Sequence, residues 1–143
     1  MQHIIKSIIL LSGLFQIASC TTEEGLCAPG LEGSDCKTET RARFLGSFTG
    51  RQACTTGSDS LTIGISAVTG DFSKVEITGL YIQPGFKITG TTLTDGSIKI
   101  AEQPFGTGQI RGLALFEDSK LKITFGVTEN AGSPADSCTW IQK

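Results

Sequence analysis

Apolar and polar residues alternate with a period of two through most of the chain beyond residue 43, as in Leu61-Thr62-Ile63-Gly64-Ile65, Ile98-Lys99-Ile100 and Leu121-Lys122-Ile123-Thr124-Phe125. Successive side chains of an extended strand point to opposite faces, so this period marks strands with one face on a core and the other in water. Eight strands are predicted, over residues 43–54, 61–68, 74–82, 86–93, 97–101, 109–117, 120–127 and 137–142. Gly70-Asp71, Gln83-Pro84-Gly85, Asp95-Gly96 and Asp118-Ser119 punctuate them, Asp95-Gly96 being the strongest hairpin signal. The alternation turns Leu61, Ile63, Ile65, Val75, Ile77, Phe86, Ile88, Ile98, Ile100, Leu121, Ile123, Phe125 and Val127 inward, and Lys74, Glu76, Lys87, Lys99, Lys120 and Lys122 outward. Around Gly79-Leu80-Tyr81-Ile82 and Gly112-Leu113-Ala114-Leu115-Phe116 both faces are apolar, which predicts fuller covering there, or a face that meets a ligand or partner.

Short connections make sequential strands antiparallel neighbours, so the expected fold is all-β: an eight-stranded up-and-down barrel or a closely related two-sheet sandwich. The 143 residues, 38% of them hydrophobic, suffice for one packed domain with extensions, and 18 glycines suit tight turns between strands. A formal charge of −2 gives no electrostatic footprint for nucleic acid.

The first twenty residues have a different pattern. A short polar start with His3 and Lys6 leads into an apolar run from Ile8 to Ile17, followed by Ala18-Ser19-Cys20, the layout of a secretory signal. About ten apolar residues, interrupted by Ser12, Gly13 and Gln16, are too few to span a bilayer, which takes roughly 20. Ile17-Ala18-Ser19-Cys20 resembles the lipobox of bacterial lipoproteins at all four positions. The resemblance implies cleavage before Cys20, acylation of that cysteine and anchoring in a membrane, since several acyl chains exceed the two-signal threshold for stable attachment. No acidic residue adjoins Cys20 in Cys20-Thr21-Thr22-Glu23-Glu24, which resembles lipoproteins passed to the outer membrane, on its periplasmic or its exposed side. The expected organisation is a signal peptide over 1–19, a lipidated tether with a collar over 20–42 and a β domain over 43–143.

With Cys20 set aside, Cys27, Cys36, Cys54 and Cys138 remain, an even number in a secreted chain, which predicts two disulfides with three possible connectivities. Cys27-Ala28-Pro29-Gly30-Leu31-Glu32-Gly33-Ser34-Asp35-Cys36 resembles the closing loop of an EGF-like module, with Leu31 where an aromatic normally stands. That resemblance implies a Cys27–Cys36 bridge and leaves Cys54 to Cys138. Gly30 and Gly33 suit such a ring because they take positive φ without a Cβ clash. The calcium-binding part of an EGF module is missing, so only the staple is carried over.

Little in the chain suggests catalysis. The only histidine, His3, lies in the signal, which leaves no imidazole for a nucleophilic triad or a zinc site, and no glycine-rich phosphate loop joins a strand to a helix. Glu102, Glu117, Asp118 and Glu129 offer carboxylates of the kind glycosidases pair, but their spacing matches solvated turn residues. The expectation is no enzyme, no metal and no cofactor.

Phe44-Leu45-Gly46-Ser47-Phe48 resembles the first-strand signature of the calycins, the lipocalin-like barrels, with Phe48 where those proteins carry Trp. The resemblance implies a barrel in which Ile63, Ile77, Ile88, Ile100, Phe116 and Phe125 are candidate lining residues for a small apolar ligand. The lipobox, the collar, Arg41-Ala42-Arg43-Phe44-Leu45-Gly46 and the meander bracketed by two cysteines together resemble small envelope lipoproteins of Gram-negative bacteria, a likeness that implies architecture and no activity. Two functions are expected on these grounds. One is a membrane-anchored lipoprotein whose non-catalytic β domain binds an envelope protein or glycan; the other is a carrier of a small apolar ligand.

Overall fold

A computed structural model describes residues 27–82, 85–130 and 133–143; residues 1–19, expected to be a signal peptide, and Cys20 lie outside the described residues. Two short strands, β1 (Leu31–Glu32) and β2 (Thr38–Glu39), form a small hairpin inside and beside the Cys27–Cys36 ring. A 3₁₀ turn over Thr40–Phe44 leads into β3 (Gly46–Cys54). Then come β4 (Gly57–Ala67), β5 (Lys74–Thr78), a 3₁₀ turn over Leu80–Ile82, β6 (Lys87–Thr92), β7 (Ile98–Phe105), β8 (Gly108–Glu117), β9 (Lys120–Thr128) and β10 (Asp136–Gln142). Strands β3 to β10 pair with their sequence neighbours throughout, and β10 pairs back onto β3, so the meander is a closed antiparallel barrel and not a sandwich. The closing register sets Cys138 opposite Cys54 and Trp140 opposite Gln52, and the Cys54–Cys138 disulfide staples that seam.

All eight predicted strands are therefore present; β4 begins earlier than expected, at Gly57, β7 runs on to Phe105, and three further revisions concern the strand ends before Gly46, after Thr78 and at Phe86. The segment before Gly46 is a 3₁₀ turn, because Phe44 tucks fully buried into the end of the barrel. The third predicted strand stops at Thr78: Gly79 takes φ +83°, and a Cβ there would lie 2.6 Å from the Thr62 carbonyl oxygen, so the chain leaves the sheet and turns. Phe86, expected inside, precedes β6 and is exposed.

The barrel has two dissimilar ends. The collar end carries the Cys27–Cys36 ring, the 3₁₀ turn with Phe44, and the β4–β5, β6–β7 and β8–β9 connections. The collar is docked on the barrel: a Cβ on Gly30 would lie 2.5 Å from the Phe72 backbone, and Gly30 takes φ +87°. Arg41 locks the joint. Its Nη1 donates to the carbonyl oxygens of Val68 (2.9 Å), Asp71 (2.6 Å) and Lys74 (2.8 Å), and its Nε to Glu39 (2.8 Å). Asp71 braces the same loop from outside, and the hydrogen bond from the Ser73 hydroxyl, with help from Lys74, holds its carboxyl down at about 2. On this side Arg43 donates from Nη2 to the Gly96 carbonyl of the Asp95-Gly96 turn (2.8 Å).

Interior packing explains several of the glycines. Trp140, wholly buried on β10, lies over Gly50, where a Cβ would stand 2.4 Å from the indole ring. Gly90 makes room in the same way for Ile98 (2.4 Å), and Gly112 lets β9 approach closely at the Thr124 carbonyl oxygen (2.5 Å) and the Phe125 Cβ (2.7 Å). Large side chains thus reach the axis because a neighbouring strand offers none, the small-against-large alternation by which a narrow barrel fills itself. Gly50→Ala is expected to overpack this layer and lower stability by about 2 kcal/mol; urea unfolding followed by the fluorescence of Trp140, the only tryptophan, measures it.

Candidate functional site

The end opposite the collar is the distal rim. It is built from the Thr55-Thr56 turn between β3 and β4, the 3₁₀ turn Leu80–Ile82, the β7–β8 turn and the segment after β9. Asp136, at the first position of β10, is 7% exposed and gathers the others. The hydroxyls of Thr55 and Thr56 both donate to it, as do the Thr56 backbone N–H (3.3 Å) and the Tyr81 hydroxyl (3.0 Å). Glu129 accepts a longer bond from the same Tyr81 hydroxyl (3.4 Å).

Tyr81 is held in an uncommon conformation, φ 56° and ψ 35°, with its backbone N–H donating to the Gln52 side-chain oxygen inside the barrel (3.0 Å). Its ring packs edge-on to Phe105 (6.2 Å) and Phe125 (6.5 Å), and Phe86 continues the aromatic edge against Phe105 (5.1 Å). A non-glycine residue at positive φ costs on the order of 1 kcal/mol and persists only where its surroundings fix it. Here the Gln52 bond, the two ring contacts and the Asp136 bond do so.

The electrostatics of this cluster hold one proton on the phenol. Burial, with the hydrogen bond to Asp136 and the charges of Asp136 and Glu129, pushes the Tyr81 phenol up to about 12. Burial alone would raise the Asp136 carboxyl, but the bonds from Thr55, Thr56 and Tyr81 outweigh it and hold that group below its ordinary value. Near neutrality the phenol stays protonated and the carboxylate ionised, the pair of states in which the Tyr81 hydroxyl donates to Asp136. A raised pKa favours folding below the unfolded value of 10.0 and loses that contribution as pH climbs through about 12. Tyr81 is the only tyrosine, so its tyrosinate absorbance titrates alone, with an expected midpoint near 12 in the folded protein and a lower one in Asp136→Asn. A midpoint at the ordinary value would break the proposed Tyr81–Asp136 coupling.

Cys54, Asp136 and Cys138 place ligand atoms within 4.8 Å of one another, but both sulfurs are spent in the disulfide, leaving one carboxylate and no metal site there. Beside the cluster lies a cleft of about 310 Å³ bordered by Thr55, Tyr81, Glu129, Ser133 and Ala135. A second depression, about 510 Å³, runs down the outer wall over β7 to β10, with Lys99, Glu102, Arg111, Thr124 and Ser137 on its surface. Ala135 borders both, which joins rim and wall into one surface of mixed charge and hydroxyls.

The residues expected to line a ligand space all point into the barrel. Ile63, Ile77, Ile88, Ile100 and Phe125 are between 0 and 2% exposed, and half-buried Phe116 packs on Phe44 at the collar end (5.1 Å). A ligand-sized void would leave accessible surface on these side chains; instead they touch one another and the rest of the described core. The carboxylates considered for catalysis are scattered: Glu117 and Asp118 lie at the collar end, Glu102 on the outer wall and Glu129 at the rim. Tyr81 stood in a segment marked by apolar residues on both faces, but Thr55, Thr56 and Asp136 carried no signal in the sequence, since a turn threonine and a strand-end aspartate look like ordinary punctuation.

Fold and site define a class: a filled, disulfide-closed up-and-down barrel with a stapled collar at one end and a hydrogen-bonded rim at the other. No family model, curated protein or solved structure matches the chain.

Proposed function

We propose that this protein is a lipid-anchored envelope protein whose barrel binds a protein or glycan partner and neither carries a small molecule nor catalyses a reaction. The observation that carries the reading is the filled interior: the described core side chains are at most 4% exposed, which leaves the outer surface to do the work. An eight-stranded barrel is wide enough for its own side chains to fill or for one small ligand, and the near-complete burial of the inward side chains supports the first. The joined rim and wall surface has a mostly apolar lining bordered by Glu129, Arg111, Glu102, Lys99 and several hydroxyls, and an apolar patch with a polar border suits a macromolecular partner. The lipobox resemblance supplies the anchor, through Cys20, and the outer membrane as the expected address.

Three measurements test this. Native and denaturing mass spectra of the chain purified from the envelope should agree, apart from the covalent lipid; a mass lost on denaturation would make the carrier reading the better one. Cys20→Ser should abolish acylation and move the protein out of the membrane fraction. A photo-crosslinking residue in place of exposed Ala135 should give one adduct of discrete mass in intact cells, and the same residue at exposed Lys120, at the other end of the barrel, should not.

A further inference from the structure

The collar end exposes apolar side chains that the fold does not need there. Phe72 is 53% exposed, Leu45 37% and Leu93 36%, and all three belong to connections at that end. Phe72 and Leu93 are neighbours, because the β5–β6 ladder runs on past Lys74 and Thr91 through a bond from the Thr92 N–H to the Ser73 carbonyl (2.7 Å). Next to Leu93 a groove of about 560 Å³ opens beneath the collar, bordered by Cys27, Pro29, Leu31 and Thr92.

Phe72 is held in its outward position by several contacts. Gly30 of the collar abuts its backbone, Arg41 fixes the carbonyls on either side of it, and the Arg41 guanidinium lies 5.7 Å from the centre of its ring. An aromatic fixed on a rigid loop and half exposed presents its apolar edge outward.

We propose that this face rests on the bilayer, with Phe72 and Leu93 seated in the headgroup region. The proposal rests on the reading of Cys20 as the lipid-bearing residue. Six residues separate Cys20 from Cys27, a reach of at most roughly 25 Å when fully extended. The tether enters the domain at Cys27, on the border of this groove, so the collar end is the end the anchor brings to the membrane. Strands of about nine residues put the distal rim on the order of 25 Å farther out, clear of the lipid and open to a partner. The charges around the patch are mixed: Lys74 pairs with Asp71, Arg43 faces Glu32, and Asp35 and Asp95 are exposed. Apolar insertion is therefore the driving force, and zwitterionic lipid should serve as well as anionic lipid.

The test uses the full lipidated chain in phosphatidylcholine vesicles, with Phe72→Trp and Leu93→Trp read against the wild type, in which Trp140 alone emits from inside the barrel. Each variant's added emission should be blue-shifted and largely quenched by brominated lipid, equally so when anionic lipid is included. Vesicle-bound protein whose added indole emits as in water, unquenched, overturns the proposal and leaves the anchor standing. A mass spectrum showing Cys20 without lipid overturns both. Emission shielded from water but not quenched by brominated lipid means that another protein or a second copy covers the patch, which also overturns it.

Discussion

Replacing Cys54 and Cys138 together by alanine is expected to lower the unfolding free energy by about 4 kcal/mol. The bridge joins positions 84 residues apart, and closing a loop of that size removes about 4 to 5 kcal/mol of entropy from the unfolded chain in the chain-entropy account. It also ties the first barrel strand to the last, the contact with the largest sequence separation in the sheet and the costliest to form unaided. Domains of this size are stable by roughly 5 to 15 kcal/mol, so the loss takes a large share of the total. Trp140 sits two residues from Cys138, fully buried, and reports this seam directly. The urea midpoint of its fluorescence should fall sharply in the double variant, or on reduction of the wild type. Cys27→Ala with Cys36→Ala opens a ring only nine residues long and should scarcely move that midpoint, because the collar lies outside the barrel. Equal shifts from the two pairs would contradict this division of labour.

Arg41→Met should destabilise the collar end by roughly 3 kcal/mol. The side chain is 6% exposed, and its loss strips a charged donor from three carbonyls while removing the partner of Glu39. A buried acceptor left without a donor costs about 1 to 3 kcal/mol, and bonds to a charged group are the stronger kind. Arg41→Lys should recover only part of the loss, since one ammonium cannot reproduce the fork that serves Glu39 on one side and the carbonyls on the other. Amide exchange across Val68 to Lys74 is the measurement that localises the effect, with protection lost there and retained in β8 and β9. Uniform loss across the barrel would mean that Arg41 supports the whole fold and does not merely lock the collar.

How far these features were legible in the sequence depends on the range of the forces behind them. Strand identity is local: Lys120 to Thr128 alternates so regularly that β9 matches its expected limits within one residue. The same holds for the Asp95-Gly96 turn, where Gly96 takes φ +78°. The strand expected to run to Ile82 fails at Gly79 because a carbonyl from another strand, that of Thr62, occupies the space a side chain would need. Phe86 kept the right hydrophobicity but the wrong face, since it falls just before its strand, beyond the reach of the alternation.

The sequence by itself determined the number of strands, their inward and outward faces apart from Phe86, and the even set of four downstream cysteines, because alternation and residue chemistry act over a few neighbours. The resemblance of Ile17 to Cys20 to a lipobox likewise rests on adjacent residues. Tertiary structure alone decided that the meander closes as a barrel, and that Gly50 and Gly90 yield their space to Trp140 and Ile98. It alone brought Thr55, Thr56, Tyr81 and Asp136 onto one rim and set Arg41 among the carbonyls of a distant loop. Those contacts join residues about 25 to 80 positions apart, and only closure of the sheet makes them neighbours.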